Sequence, residues 1–132
     1  MKTLNAHGIA VGLLLAASAP AVASDFGLEY DVERVPTAQL SLADCAAAVR
    51  RASEEAGYVM RTEHDQGKLV LHVSGPAGEG SALVGYCIQA GTRTVWVVQV
   101  LDYEGAGNAA SAAVMKAVAA ELRSAAGLGG SD

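Results

Sequence analysis

The chain has 132 residues, with nine Lys and Arg against fourteen Asp and Glu, and only two cysteines. That length suits one domain with one core, and disulfides or metals are not obligatory at this size. The net charge of −5, with no basic cluster, argues against nucleic acid, because neutralising a phosphate backbone takes grouped Lys and Arg; the same sign disfavours anionic membrane surfaces.

The N-terminus presents Lys2, an apolar stretch from Ile9 to Ala17, Pro20, and the small-residue triplet Ala21-Val22-Ala23. That order is the secretory pattern, and the reading is a signal peptide over 1–23 cut before Ser24. The apolar run is too short for a membrane anchor, which takes ~20 residues to cross a ~30 Å hydrocarbon core. Cleavage leaves a single domain over 24–132 with eight basic and fourteen acidic side chains, a net charge of −6.

Phe26, Leu28, Tyr30 and Val32 alternate with Gly27, Glu29, Asp31 and Glu33, the period of a half-buried strand with one apolar and one acidic face. Pro36 ends it. Ser41 offers an N-cap and Asp44 an acid in the first turn. Leu42, Cys45, Val49, Ala52 and Ala56 then recur at helical spacing, turning Cys45 toward the core, until Gly57 stops the helix.

Two strands follow, Tyr58 to His64 and Lys68 to Ser74, around Asp65-Gln66-Gly67; after the loop from Gly75 to Gly80 come two more, Ser81 to Gln89 and Thr92 to Tyr103. A two-residue turn at Ala90-Gly91 would pair Cys87 with Thr94 and lay Trp96 over Gly85. A second helix over Asn108 to Ala125 buries Val114, Val118, Leu122 and Ala125 and turns Lys116 and Arg123 to water. The Gly-rich stretch 127–132 reads as a frayed, disordered tail. The order β-α-β-β-β-β-α, with successive strands joined by hairpins, specifies an α+β fold: a two-layer, mainly antiparallel sheet of about five strands with two helices packed on it.

An exported chain passes into an oxidising space, so Cys45 and Cys87 read as one disulfide, with two buried free thiols as the alternative. In the chain-entropy picture such a crosslink contributes roughly 4 kcal/mol. The segments Leu40-Ser41-Leu42-Ala43-Asp44-Cys45 and Val95-Trp96-Val97-Val98-Gln99-Val100-Leu101-Asp102-Tyr103 resemble an uncharacterised family of small exported bacterial proteins. The resemblance implies neither a ligand nor a catalytic residue.

No catalytic or cofactor signature emerges. His64 and His72 share one hairpin; an even turn puts them on opposite faces, and an odd one separates them by roughly 13 Å, so neither register makes a metal site. Each reads as a surface strand residue. Glu63 and His64 point opposite ways and should not cooperate. Gly75 to Gly80 has the glycines of a phosphate loop but enters a strand and carries Glu79.

Glu29, Asp31 and Glu33 share a strand face and form a possible acidic contact strip, with a solvated face as the plain alternative. Val84, Tyr86, Ile88, Val95, Val97 and Leu101 lie opposite Trp96 and are almost as apolar as the core side. Either a helix covers each side, or both helices share one side and the other is left to a partner, as an exposed apolar patch would signal. The leading reading is an exported non-enzymatic module, without cofactor or metal, that binds a protein partner or a second copy. Its rival is a small-ligand binder or minor hydrolase with a cleft between helices and sheet, using His64, Asp102 or Tyr103.

Overall fold

A computed structural model describes residues 25–129. The expected signal peptide over 1–23, its cut before Ser24, and residues 130–132 of the expected tail lie outside the described residues. In chain order the elements are β1 (Gly27–Pro36), α1 (Leu42–Glu55), β2 (Val59–Asp65), β3 (Leu69–Gly75), β4 (Ser81–Ala90), β5 (Arg93–Asp102) and α2 (Ala109–Ala125). The strands form one antiparallel sheet in the order β1-β5-β4-β3-β2. This is the α+β arrangement that the hairpin order implied. β1 and β2 occupy the two edges, so α1 carries the chain across the full width of the sheet.

Local chemistry sets the helix limits. Ser41 caps α1, its Oγ accepting the Asp44 N–H at 3.1 Å, and Asn108 caps α2, its Oδ1 accepting the Ala110 N–H at 2.9 Å. Both helices end in the paired hydrogen bonds of a left-handed glycine stop. Gly57 (φ +81°) donates to the Glu54 carbonyl, and Tyr58 to that of Ser53. Gly127 (φ +71°) donates to the Ser124 carbonyl, and Leu128 to that of Arg123. The expected frayed tail therefore begins with residues that close α2.

Both helices pack together and on the same face of the sheet. Between the layers lie Leu83, Trp96, Val98 and Val100 from the sheet with Val49, Val118 and Leu122 from the helices, all essentially sealed from water. Cys45 and Cys87 form a disulfide with Cα atoms 6.0 Å apart, tying α1 to β4.

Several expected details differ. The β4–β5 turn is Gly91-Thr92, so Cys87 pairs with Trp96 and Gly85 with Val98. The ladder slips by two residues, which preserves the face of every side chain. Gly85 is bare for another reason: a Cβ there would sit 2.9 Å from Val49 Cγ1, so the glycine admits α1 rather than a covering indole. The buried stripe of α2 runs through Ser111, Met115, Val118, Ala119 and Leu122, leaving Val114 and Ala125 only partly covered. Arg123 does not simply face water, for it pairs with Asp31 at 2.8 Å.

Candidate functional site

On the helix side, the acidic alternation of β1 turns inward. Asp31 Oδ2 accepts the Trp96 Nε1–H at 2.8 Å, and Oδ1 accepts from Arg123 at 2.8 Å. This carboxylate satisfies a fully buried indole and joins α2 to the sheet edge. Glu33 is half-buried on the same side, and Glu29 is exposed. The three acids thus share a face, but their central member is engaged within the fold.

The apolar alternation of β1 consequently points away from the helices. Leu28, Tyr30 and Val32 are 46%, 69% and 53% exposed. The register sets Leu28 beside Leu101, and Val32 beside Val97. Across the next ladder Val97 pairs with Tyr86, and Val95 with Ile88; beyond that Leu71 lies beside Tyr86, and Val73 beside Val84. Four neighbouring strands therefore present one largely apolar surface, interrupted by Gln99 between Tyr30 and Val84, that contains all of Val84, Tyr86, Ile88, Val95, Val97 and Leu101. Among the described residues, none of those six is buried, whereas their inward neighbours Leu83, Trp96, Val98 and Val100 are fully buried. A partly exposed apolar face on a sheet whose other side is fully covered is the candidate contact surface of the domain.

A second arrangement lies between α1 and the sheet. His72 is 2% exposed, because β3 carries it on the inner face. The surface position expected for it does not hold: the turn between Asp65 and Val70 spans an even number of residues, placing His64 outside and His72 inside. Glu63 pairs directly with His72 across the ladder, and its Oε2 lies 3.3 Å from His72 Nδ1. His72 Nε2 lies 3.1 Å from Ser53 Oγ, and Arg50 Nε donates to Glu63 Oε2 at 3.2 Å. The Arg50 guanidinium, followed by the hydrogen bond from His72, holds the Glu63 carboxyl below the usual carboxylate range.

Serine, histidine and glutamate here follow the order of a hydrolase relay, but the geometry opposes that chemistry. Ser53 is 1% exposed and its hydroxyl donates to the Arg50 carbonyl at 2.9 Å, so an acyl carbonyl has no approach to it. The quartet instead satisfies polar groups that the helix–sheet junction has dehydrated. Sequence reasoning missed it. Its legible signal was the small hydroxyl of Ser53 adjoining the apolar stripe of α1, next to Ala52.

The residues offered for a ligand cleft do not converge. His64 is exposed on the outer side of β2, with Nε2 3.3 Å from its neighbour Thr62 Oγ1. Asp102 is buried on the opposite face, accepting from Ser111 Oγ at 2.8 Å and from the Glu104 N–H at 2.8 Å. Those bonds, Ser111 first, pull its carboxyl below the ordinary value. Asp102 thereby organises the loop into α2. Tyr103 projects into solvent. A shallow depression lies elsewhere, lined by Pro36, Thr37, Gln89 and Arg93 at the β4–β5 turn. The described residues hold no group of three or more His, Cys, Asp or Glu placed to bind a metal ion.

A search of curated proteins finds no match to the chain. A family model does match, over residues 25–127, which spans all seven elements. The chain belongs to the DUF6180 family, a family of unknown function.

Proposed function

We propose that the processed chain is an exported, non-enzymatic module that docks another protein on the helix-free face of its sheet. The observation carrying this reading is the largely apolar surface across β1, β5, β4 and β3, opposite a complete core. Water-exposed Val, Ile, Leu and Tyr side chains gain free energy at roughly 25 cal/mol per Å² when covered. The enclosed Ser53–His72–Glu63 cluster and the scattered His64, Asp102 and Tyr103 favour this over the ligand or hydrolase reading. Export is supported by the secretory order of residues 1–23, and by a disulfide, which is compatible with an oxidising compartment.

Site-specific photocrosslinking in the producing cell tests the docking face. A photoreactive side chain replacing Val97, on the outer face, is expected to give discrete protein adducts. The same group replacing Ala117, exposed on α2, serves as control and should give none. Equal yields at both positions, or none at either, contradict the reading.

A further inference from the structure

We propose that the occupant of the open face is a second copy of this chain, packed face to face with its strands running in the reverse sense. This rests on the docking reading above and adds the identity and orientation of the partner. Three observations lead to it.

The first is shape and size. Val84, Ile88, Val95 and Val97 are β-branched residues on one pleated face, and the alternate side chains of a sheet face pack readily against those of another sheet at ~10 Å. Four strands at ~4.8 Å, seven to ten residues long, give an apolar face of roughly 600 Å² in projection, of the same order as the ~800 Å² per partner of a standard interface.

The second is charge at the two ends of the strands. One end carries exposed Arg34, Arg93 and Lys68 with Asp65, a surplus of two positive charges; the other carries exposed Asp25, Glu79 and Glu104 with Arg61, a surplus of two negative charges. A two-fold axis lying between the sheets and across the strands sets each positive end over the partner's negative end. An axis along the strands would stack like ends together. The surface is therefore self-complementary in one orientation, as an isologous interface requires.

The third observation opposes one competing way of joining two copies, pairing through edge strand β1. Edge strand β1 is ten residues long, but antiparallel pairing with its own copy places residues of the same face opposite one another. Every such register over Glu29, Asp31 and Glu33 sets at least one acid against another, which opposes edge pairing.

Sedimentation equilibrium of the protein expressed as the full chain and purified after cellular processing tests the proposal. The expected result is a mass twice that of one chain, with dissociation promoted by salt. Val97→Lys should yield a folded monomer, its fold checked by the tertiary signal of Trp96. Arg34→Glu with Arg93→Glu should weaken association at least tenfold, and adding Asp25→Arg with Glu79→Arg should restore it. A strict monomer whose Val97 crosslinks join only other proteins overturns self-pairing and leaves the docking reading standing; a dimer indifferent to Val97→Lys overturns the proposed face.

Discussion

Replacing Gly85 by alanine probes the contact that seats α1 on the sheet. The added Cβ would lie 2.9 Å from Val49 Cγ1, against a comfortable carbon–carbon separation of ~3.5–4.0 Å. Val49 has little room to yield, because a β-branched side chain in a helix has one strongly preferred rotamer. Nor can α1 retreat freely, since the Cys45–Cys87 bond anchors it one turn away. Overpacking of this kind costs about 1–3 kcal/mol, offset by ~0.4–1 kcal/mol from the stiffer unfolded chain. Gly85→Ala should therefore lose about 1–2 kcal/mol in urea unfolding, monitored by Trp96 fluorescence. Val49→Ala, destabilising alone through its cavity, should relieve the clash, so the double variant should be more stable than the additive expectation by about 1 kcal/mol. Strict additivity, or stabilisation by Gly85→Ala alone, would refute the contact.

Removing the disulfide with Cys45→Ala and Cys87→Ala should cost about 2–5 kcal/mol, read as a lower denaturation midpoint than that of the oxidised protein. Asp31→Ala strands the buried Trp96 N–H and frees Arg123, and a loss of about 1–3 kcal/mol is expected in the same assay; Glu29→Ala should change little. Glu63 and Asp102 both have folded pKa values below their unfolded values, so between the two the unfolded chain binds more protons and stability rises with pH. Their contribution is fully present above about pH 4.5 and is lost as pH falls through the folded values, as urea midpoints from pH 7 to pH 3 will show. Glu63→Gln should flatten its part of that slope.

The fold was largely legible because its determinants are local or periodic. Ser41, Gly57 and Asn108 act through neighbours within a few residues, and the parity of β4 and β5 survives even when the turn is misplaced by one residue and the ladder slips by two. The orientation of β1 was not legible. Alternation reveals that its faces differ, and apolar-inward is the ordinary solution; here Asp31 is drawn inward by two donors, Trp96 and Arg123, that are distant in sequence. The same limit concealed the buried cluster, because Glu63 meets His72 only through the exact length of the β2–β3 turn. The outer apolar surface was visible strand by strand, but whether a helix covered it depended on both helices sharing one face, a long-range outcome that alternation does not encode.

The central claim is that the sheet has one sealed and one open side, and adjacent residues of β5 test it most directly. At protein concentrations low enough to keep chains apart, urea unfolding of Val97→Lys should differ from the parent by no more than about 1 kcal/mol, because the position is only half-buried and a lysine there can carry its ammonium out to water. Val98→Lys, which buries an unpaired ammonium beneath the helices, should abolish folding. A loss above about 3 kcal/mol for Val97→Lys in the monomer would mean that the outer face is already covered within one chain, and would contradict the account.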